Sequence, residues 1–401
     1  MFSFHRRRSL TPSVNLNKSA LTSKAKRPHP QTRHSYHTSS TSSPLSTINI
    51  LLVGQIYEET VLYVDEYPKE SNQIHAKKTI QRQGGSICNT AEVLSQFPSL
   101  DPCIMSCLGS KSDSSGVVAS LEDKGINTKT CTYRQIPIPS TVIIQNSHCG
   151  SRTVIASNER IDLTKDEFIG HFSRASVNKT MEAPYSWVHF ECRSVYTVLD
   201  QIGWLETKAM QEGWRSQLTI SLDLDNPTLL DIELLFPKAD VVFFSKTFAQ
   251  SRHFYHPKDF LRSIYPQCKS GWGEGGTTCL LNPDELIHAS AIPTHDVVDP
   301  AGAKDTFIAG IIFCLCRHLS AMTALKFSCE MANRKVGKMG FDGLAELMWK
   351  LWEASLDMAA TQKSFNANSL VSGSPLVTAF KAMELGASSG SSSPDASILV
   401  E

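Results

Sequence analysis

The sequence predicts an α/β fold in which a mostly parallel central sheet lies between layers of helices, with a small second β-sheet that forms a lid. Two observations support this prediction. From residue 47 onward, apolar runs alternate with segments of helical periodicity, which indicates a parallel sheet covered by helices on both faces. Residues 56–80 and 130–156 instead mix polar and apolar positions in short β-branched runs, which predicts antiparallel lid strands with one solvated face.

The predicted elements follow in order along the chain. The first strand is residues 47–54, and a helical pattern follows the glycine pair Gly84 and Gly85. Further buried strands, separated by helical patterns, are predicted at 103–109, 185–190, 218–223 and 239–244. A last short strand, 296–298, leads through a turn into the long apolar run 308–319, which predicts a buried helix.

Composition and charge restrict the classes of partner. The chain has 401 residues, of which 41% are hydrophobic and 19% charged, as is ordinary for a globular protein. A formal net charge of zero gives a nucleic-acid partner no general electrostatic support. No apolar run reaches the roughly 20 residues that a membrane span needs. The 11 cysteines lack metal-ligand spacing, so we expect no zinc site and a reducing compartment.

The two ends of the chain differ from its centre. Residues 1–46 contain no acidic residue but several arginines and lysines among many serines and threonines. This composition is typical of an organellar transit peptide and predicts a mitochondrial location. The alternative is a disordered basic tail on a cytoplasmic protein. The domain itself is predicted at 47–355, followed by an extension, 356–401, that is low in complexity and disordered from about residue 385.

The segment 299–307 predicts an anion site beside a base. Gly302 and Ala303 are small, so that the backbone can pass close to a ligand where the turn opens a helix. A helix N-terminus favours an anion, and Asp305 in the first turn can take a proton from a neighbouring hydroxyl. Asp305 could equally be only a helix cap. Lys304 stands where such a turn ordinarily prefers glycine. Together these features predict phosphoryl transfer to an alcohol.

The order of several motifs resembles the ribokinase-type (PfkB) carbohydrate kinases, and within that family the ketohexose kinases. The similar segments lie at 64–70, 81–89, 151–155, 189–193, 240–246, 299–307 and 339–344. The resemblance implies a ribokinase-like three-layer fold and transfer of the γ-phosphate of ATP to a hydroxyl of a ketohexose-like sugar. It implies ATP with Mg²⁺, admits K⁺ as a further cation, and suggests a homodimer formed through the lid.

The resemblance also assigns roles to individual residues. Sugar hydroxyls would be bound by Glu59, Gly84, Gly85 and Asn89. The phosphoryl-transfer centre would comprise Asp305 as general base, Gly302, Ala303, Lys304 and Arg152. The nucleotide would be bordered by Gly273, Glu274, Gly276, Asn333 and Gly340. Each role has an alternative. Glu59 and Arg152 could be solvated charges, and 271–277 could be a plain flexible loop. Asn333 and Gly340 could serve in packing.

Several positions depart from the family pattern. Lys304 replaces a glycine, Glu59 an aspartate and Ser86 an asparagine, and the apolar strand expected before Gly271 is missing. If the turn needed a positive φ at Lys304, the lysine would cost about 1 kcal/mol, and its ammonium would either bind phosphate or block it. Two other functions therefore stay open. One is a weak or inactive relative that binds sugar or nucleotide as a regulatory protein, and the other is a kinase for a nucleoside or another small alcohol.

Overall fold

The computed structural model describes residues 47–148, 151–157, 162–175, 182–268, 271–273, 277–282, 285–289 and 297–350. These residues lie within one compact unit of the chain. The predictions for residues 1–46 and 356–401 fall outside the described residues.

The elements alternate between strand and helix much as the sequence predicts. The strands are β1 (Ile48–Val53), β2 (Tyr57–Val64), β3 (Lys78–Gly84), β4 (Leu100–Met105), β5 (Cys107–Leu108), β6 (Thr132–Tyr133), β7 (Ser140–Asn146), β8 (Arg152–Ser157), β9 (Trp187–Glu191), β10 (Thr219–Leu224), β11 (Val241–Phe244), β12 (Gly271–Gly273), β13 (Thr277–Asn282) and β14 (Glu285–Ala289). The α-helices are α1 (Ser86–Leu94), α2 (Lys111–Asp123), α3 (Lys165–Ala175), α4 (Val195–Gln211), α5 (Lys246–Ser251), α6 (Pro257–Ile264), α7 (Ala303–Cys316) and α8 (Ala321–Val336).

The central sheet has the strand order β14-β13-β12-β11-β10-β9-β1-β4. Every neighbouring pair from β4 to β12 is parallel, whereas the β12–β13 and β13–β14 pairs are antiparallel. The prediction of a mostly parallel sheet is therefore confirmed. Because parallel strands point the same way, the C-terminal ends of β9 and β10 lie side by side at one edge, where ligands bind in open α/β sheets.

Two hydrophobic cores cover the two faces of this sheet. Successive residues of β1 alternate between them: Ile50 and Leu52 join one core, and Leu51 and Val53 join the other. The first core is completed by α1, α7 and α8, and the second by α3, α4, α5 and α6. Burial on both faces explains why β1 is an uninterrupted apolar run, and it confirms the three-layer architecture.

The lid is a separate four-stranded sheet with the order β3-β2-β7-β8. Its outer pairs, β2–β3 and β7–β8, are antiparallel as predicted, but the central pair β2–β7 is parallel. The expectation of a wholly antiparallel lid is wrong at that pair. The two hairpins are separated by α1, β4, β5, α2 and β6, and a connection of that length permits a parallel pairing.

Two local predictions about strands are corrected. The start of the predicted glycine loop is itself a strand, β12, three residues that pair with β11 and β13. Two of its three residues are glycines, which are uncommon in the interior of a strand. The sequence pattern therefore did not indicate a strand here. By contrast, Val297 and Val298 are exposed and form no strand. The N–H of Val298 donates to the Val336 carbonyl at the end of α8, so the segment runs over that helix end instead.

Within the described residues, no helix is long and apolar enough to cross a membrane. The described cysteines are free thiols, most of them buried. No group of three or more His, Cys, Asp or Glu side chains in this part of the chain is arranged to hold a metal ion.

Candidate active site at the N-terminus of α7

The turn before α7 depends on glycine at one position, Gly302. Its φ of 81° lies in the left-handed region, which residues with a Cβ rarely adopt. A Cβ at this position would also lie 2.3 Å from the ring of Phe341. Lys304 is the second residue of α7 and has no positive φ. The backbone cost considered for this lysine therefore does not arise, since the strained position is two residues earlier.

Asp305 is held by α1, the helix that follows the glycine pair. Its Oδ1 accepts a hydrogen bond from Ser86 Oγ at 2.7 Å, and its Oδ2 accepts one from Asn89 Nδ2 at 2.6 Å. Ser86 and Asn89 are three residues apart on one helix face, so both can reach the same carboxylate. Asp305 is only 6% exposed. The arrangement fixes a carboxylate beside the positive end of the α7 dipole.

Gly85 allows α1 to begin where it does. Its φ is 107°, and a Cβ there would lie 2.3 Å from the carbonyl oxygen of Gln55. Gly84 has a different neighbour, because a Cβ at this residue would lie 2.0 Å from the carboxyl carbon of Glu59. Both predicted glycines are thus required by close approaches at the junction of β3 and α1.

Glu59 is not a solvated surface acid. Its Oε2 accepts a hydrogen bond from Arg82 Nε at 3.0 Å, and its side chain is 14% exposed. The same arginine places Nη1 3.9 Å from Asp299, the first residue of the anion turn. Glu59, Gly84, Gly85 and Asn89 are therefore gathered near one end of α1. Their role in binding sugar stays a prediction.

Lys304 turns its ammonium towards the acids at the end of β10. Its Nζ lies 2.9 Å from Asp223 Oδ2 and 3.0 Å from Asp225 Oδ2. Burial alone would lower the pKa of Lys304, but the charges of these carboxylates outweigh it and hold the pKa well above its ordinary value. The lysine is therefore charged at neutral pH and already carries two counter-ions.

The two acids paired with Lys304 differ in environment. The Asp223 side chain is 1% exposed and that of Asp225 is 61% exposed. Burial raises the pKa of Asp223 to about 6, although the Lys304 ammonium acts to lower it. Burial acts to raise the pKa of Asp225, but the Lys304 ammonium outweighs this effect, so the pKa is lowered. Among the described residues, Asp223 Oδ1 is buried without a hydrogen-bond partner, and such an atom can be satisfied by a ligand donor.

A cleft of about 380 Å³ opens over these groups. It is lined by Ser86, Glu191, Cys192, Arg193, Asp223, Asp225, Asn226, Pro227, Thr247 and Lys304. Ser86 connects the cleft to the base, since its Oγ lies 3.3 Å from Asp223 Oδ2 and donates to Asp305. The cleft therefore brings acids and a lysine together at the C-terminal edge of the sheet and reaches the candidate base through Ser86.

Comparison with known proteins identifies the relatives of this chain. Residues 273–346 match the model of the pfkB family carbohydrate kinases. Ketohexokinase of Mus musculus is 28% identical over 303 residues, which are 74% of this chain and 98% of that protein. These matches confirm the predicted resemblance to the PfkB carbohydrate kinases. The prediction of a phosphotransferase with an alcohol group as acceptor is thereby confirmed.

Solved structures support the fold of this chain. A putative ribokinase from Agrobacterium tumefaciens superposes with a TM-score of 0.60 at 18% identity, covering 77% of this chain and 99% of that one. Ribokinase of Arabidopsis thaliana complexed with ribose and ATP gives a TM-score of 0.58 at 16% identity, with 75% and 99% covered. At these identities the similarity shows the ribokinase-like fold.

The predicted nucleotide-binding residues are only partly described. Gly340 has a φ of 68° and donates its N–H to Asp299 Oδ2 at 3.3 Å, so it is tied to the anion turn. Asn333 lies in the last turns of α8, where its carbonyl accepts from the Gly337 N–H. Gly273 lies in β12, and Glu274 and Gly276 fall outside the described residues. The structure therefore explains Gly340 by a local contact, and the nucleotide role of Gly340 and Asn333 stays a prediction.

Arg152, predicted near the phosphoryl path, is exposed on the lid strand β8. Its charge helps to lower the pKa of Asp225, an acid of the cleft, although burial and Lys304 have larger effects on that pKa. The charge of Arg152 is thus felt at Asp225, although the role of Arg152 in catalysis stays a prediction.

Sequence reasoning missed four charged residues of the cleft. Glu191 accepts from the Gln55 N–H at 3.0 Å and from Arg193 Nη1 at 3.3 Å, and burial raises its pKa. Arg193 also lies 5.3 Å from the centre of the Tyr57 ring, at the start of the lid. Asp223 and Asp225 complete the set. The available signal was their position, since all four stand at or just after the predicted strands 185–190 and 218–223.

Proposed function

We propose that this chain is an ATP-dependent sugar kinase that transfers the γ-phosphate to a hydroxyl of a ketohexose-like sugar, with Asp305 as the general base. The observation that carries the proposal is the carboxylate of Asp305, fixed by Ser86 and Asn89 in the first turn of α7. The similarity to a ketohexokinase over most of the chain supports a ketohexose as acceptor.

The reaction follows from this geometry. Asp305 takes the proton of the acceptor hydroxyl, whose oxygen then forms a bond with the γ-phosphorus while the bond between that phosphorus and the β–γ bridging oxygen breaks. The N–H groups of the first turn of α7 stabilise the charge of the transferring group. Gly302 permits the close approach that this requires. Positioning and electrostatic stabilisation are the main means of catalysis in such transfers.

Mg²⁺ is proposed to accompany ATP, held largely by phosphate oxygens and water. The cleft offers the oxygen ligands that this ion prefers, the unpartnered Asp223 Oδ1 and the exposed carboxylate of Asp225. When bound, the ion would neutralise phosphate charge. K⁺ as a further cation stays a prediction. A homodimer through the lid and a mitochondrial location stay predictions.

A coupled assay of ADP release tests the proposal over a panel of ketoses, aldoses and nucleosides. We expect turnover that depends on a ketohexose and is lost in Asp305→Asn. Asp113→Asn is the matched control, because Asp113 is likewise an acid at the third position of a helix, α2, but is exposed. A wild-type rate no higher than that of Asp305→Asn on every acceptor would refute the kinase proposal.

Lys304 is the observation that favours the alternative of a weak or inactive binding protein. Its ammonium neutralises Asp223 and Asp225, groups that would otherwise be free for a ligand. A silent wild type with turnover restored in Lys304→Gly would support that alternative. Turnover with a nucleoside in place of a ketohexose would support a kinase of changed acceptor.

A further inference from the structure

A buried ion pair lies directly behind the anion turn. Lys335, in the last turn of α8, has a side chain that is 0% exposed, and the side chain of Asp299 is 1% exposed. The Lys335 Nζ donates to the backbone carbonyl oxygen of Asp299 and to its Oδ2, both at 2.9 Å. The ammonium thus binds Asp299 at two atoms, one on the backbone and one on the side chain.

Asp299 passes this contact on to the turn. Its Oδ1 accepts the N–H of Ala301 at 3.1 Å, and its Oδ2 accepts the N–H of Gly340 at 3.3 Å. Its own N–H donates to the Val336 carbonyl at the end of α8. The turn that leads to Gly302 is therefore anchored to α8 through one aspartate.

A second line of contact reaches the same turn from the other side. The Lys335 Nζ lies 5.0 Å from the centre of the Phe341 ring, which is within the range of a cation–π interaction. The same ring lies against Gly302, whose missing Cβ it would meet at 2.3 Å. The Lys335 ammonium therefore contacts both ends of the turn. It binds Asp299 at the start, and it lies over Phe341, whose ring packs against Gly302, the N-cap of α7.

We propose that Lys335 is a positioning residue for phosphoryl transfer, whose ammonium holds the turn 299–302 in the conformation that presents the first N–H groups of α7 to the transferring phosphoryl group. The inference rests on the proposed kinase function. Stability alone does not account for the pair, because a buried ion pair adds little over well-packed apolar side chains. What the charge adds is a fixed position for the carbonyl and carboxylate of Asp299.

The test compares kcat and KM in Lys335→Met, which keeps the length of the side chain and removes the charge. We expect kcat to fall about 10- to 100-fold, as small misplacements of positioning groups do. The KM for the sugar should stay near the wild-type value, because Glu59, Gly84 and Asn89 lie on other elements. Lys326→Met, on the same helix but partly exposed, is the matched control and should retain wild-type kcat.

A second variant covers the case in which Lys335→Met does not fold. Asp299→Asn/Lys335→Met removes both charges and leaves no unpaired buried ion, so we expect it to fold and still to show the reduced kcat. A folded double variant with wild-type kcat would overturn the inference. A wild type that neither releases ADP nor binds ATP·Mg in calorimetry would refute the kinase proposal and this inference together, whereas an active wild type matched by Lys335→Met would overturn the inference alone.

Discussion

Replacing Lys304 by methionine removes the cation that contacts Asp223 and leaves a buried carboxylate without this counter-ion. In the native protein the Lys304 Nζ lies 2.9 Å from Asp223 Oδ2, and the carboxyl is almost wholly buried. Methionine has a similar length and no charge, so the cleft keeps its shape. The perturbation therefore isolates the electrostatic contribution of the ammonium.

The expected effect depends on pH. The pKa of Asp223 is about 6 in the folded protein against 3.8 for a free side chain. Because the folded value is the higher one, ionisation opposes folding, and stability is lost as pH rises from about 4 to 6. A nearby opposite charge shifts a carboxyl pKa by roughly 1–3 units, so without Lys304 the loss should continue above pH 6. At about 1.4 kcal/mol per unit, and with Lys304 partly exposed, we expect the variant to be less stable by roughly 1–3 kcal/mol at pH 8.

Chemical denaturation at pH 5 and at pH 8 measures this difference. The difference in unfolding free energy between the wild type and Lys304→Met should be small at pH 5, where Asp223 is largely protonated in both proteins. It should grow between pH 6 and 8. Lys165→Met removes an exposed lysine from the first turn of α3 and should show no such dependence. A gap that is equal at both pH values would refute the argument.

Two further substitutions test the turn and the sugar site. Gly302→Ala should lower the free energy of unfolding by about 1–3 kcal/mol, since it adds a left-handed alanine and a clash with Phe341. Gly125→Ala is the control, because its φ of 79° is similar but nothing lies within 4 Å, so a loss as large there would contradict the clash. Glu59→Gln should raise the sugar KM about 10-fold or more in steady-state kinetics, and an unchanged KM would mean that Glu59 makes no sugar contact.

The central architecture could be predicted because it depends on local patterns of apolar and polar residues in the sequence. Continuous apolar runs such as β1 indicate burial between two helical layers, and the parallel direction of the strands follows from their alternation with helices. β12 escaped prediction because Gly271 and Gly273 carry no strand signal, and its place depends on neighbours far away in the chain. The segment at Val297 and Val298 looked like a strand by composition, but the end of α8 supplies its hydrogen-bond acceptor.

The candidate site was predictable in part. The turn at Gly302 and the acid at Asp305 can be recognised from adjacent residues. The partners of Lys304 cannot, because Asp223 lies 81 positions earlier and meets the lysine only when β10 and α7 are assembled. The same holds for Ser86 and Asn89, whose bonds to Asp305 span more than 200 positions. Residues that act through long-range contacts need the fold before their roles can be inferred.

The most direct test of the central claim is the rate of ADP release with a ketohexose in the wild type and in Asp305→Asn. We predict acceptor-dependent turnover in the wild type and a loss of about 100-fold or more in the variant, the range that general-base catalysis supplies. Asp113→Asn should match the wild type. Equal rates in the wild type and Asp305→Asn would contradict the account, because the carboxylate held by Ser86 and Asn89 would then take no part in the reaction.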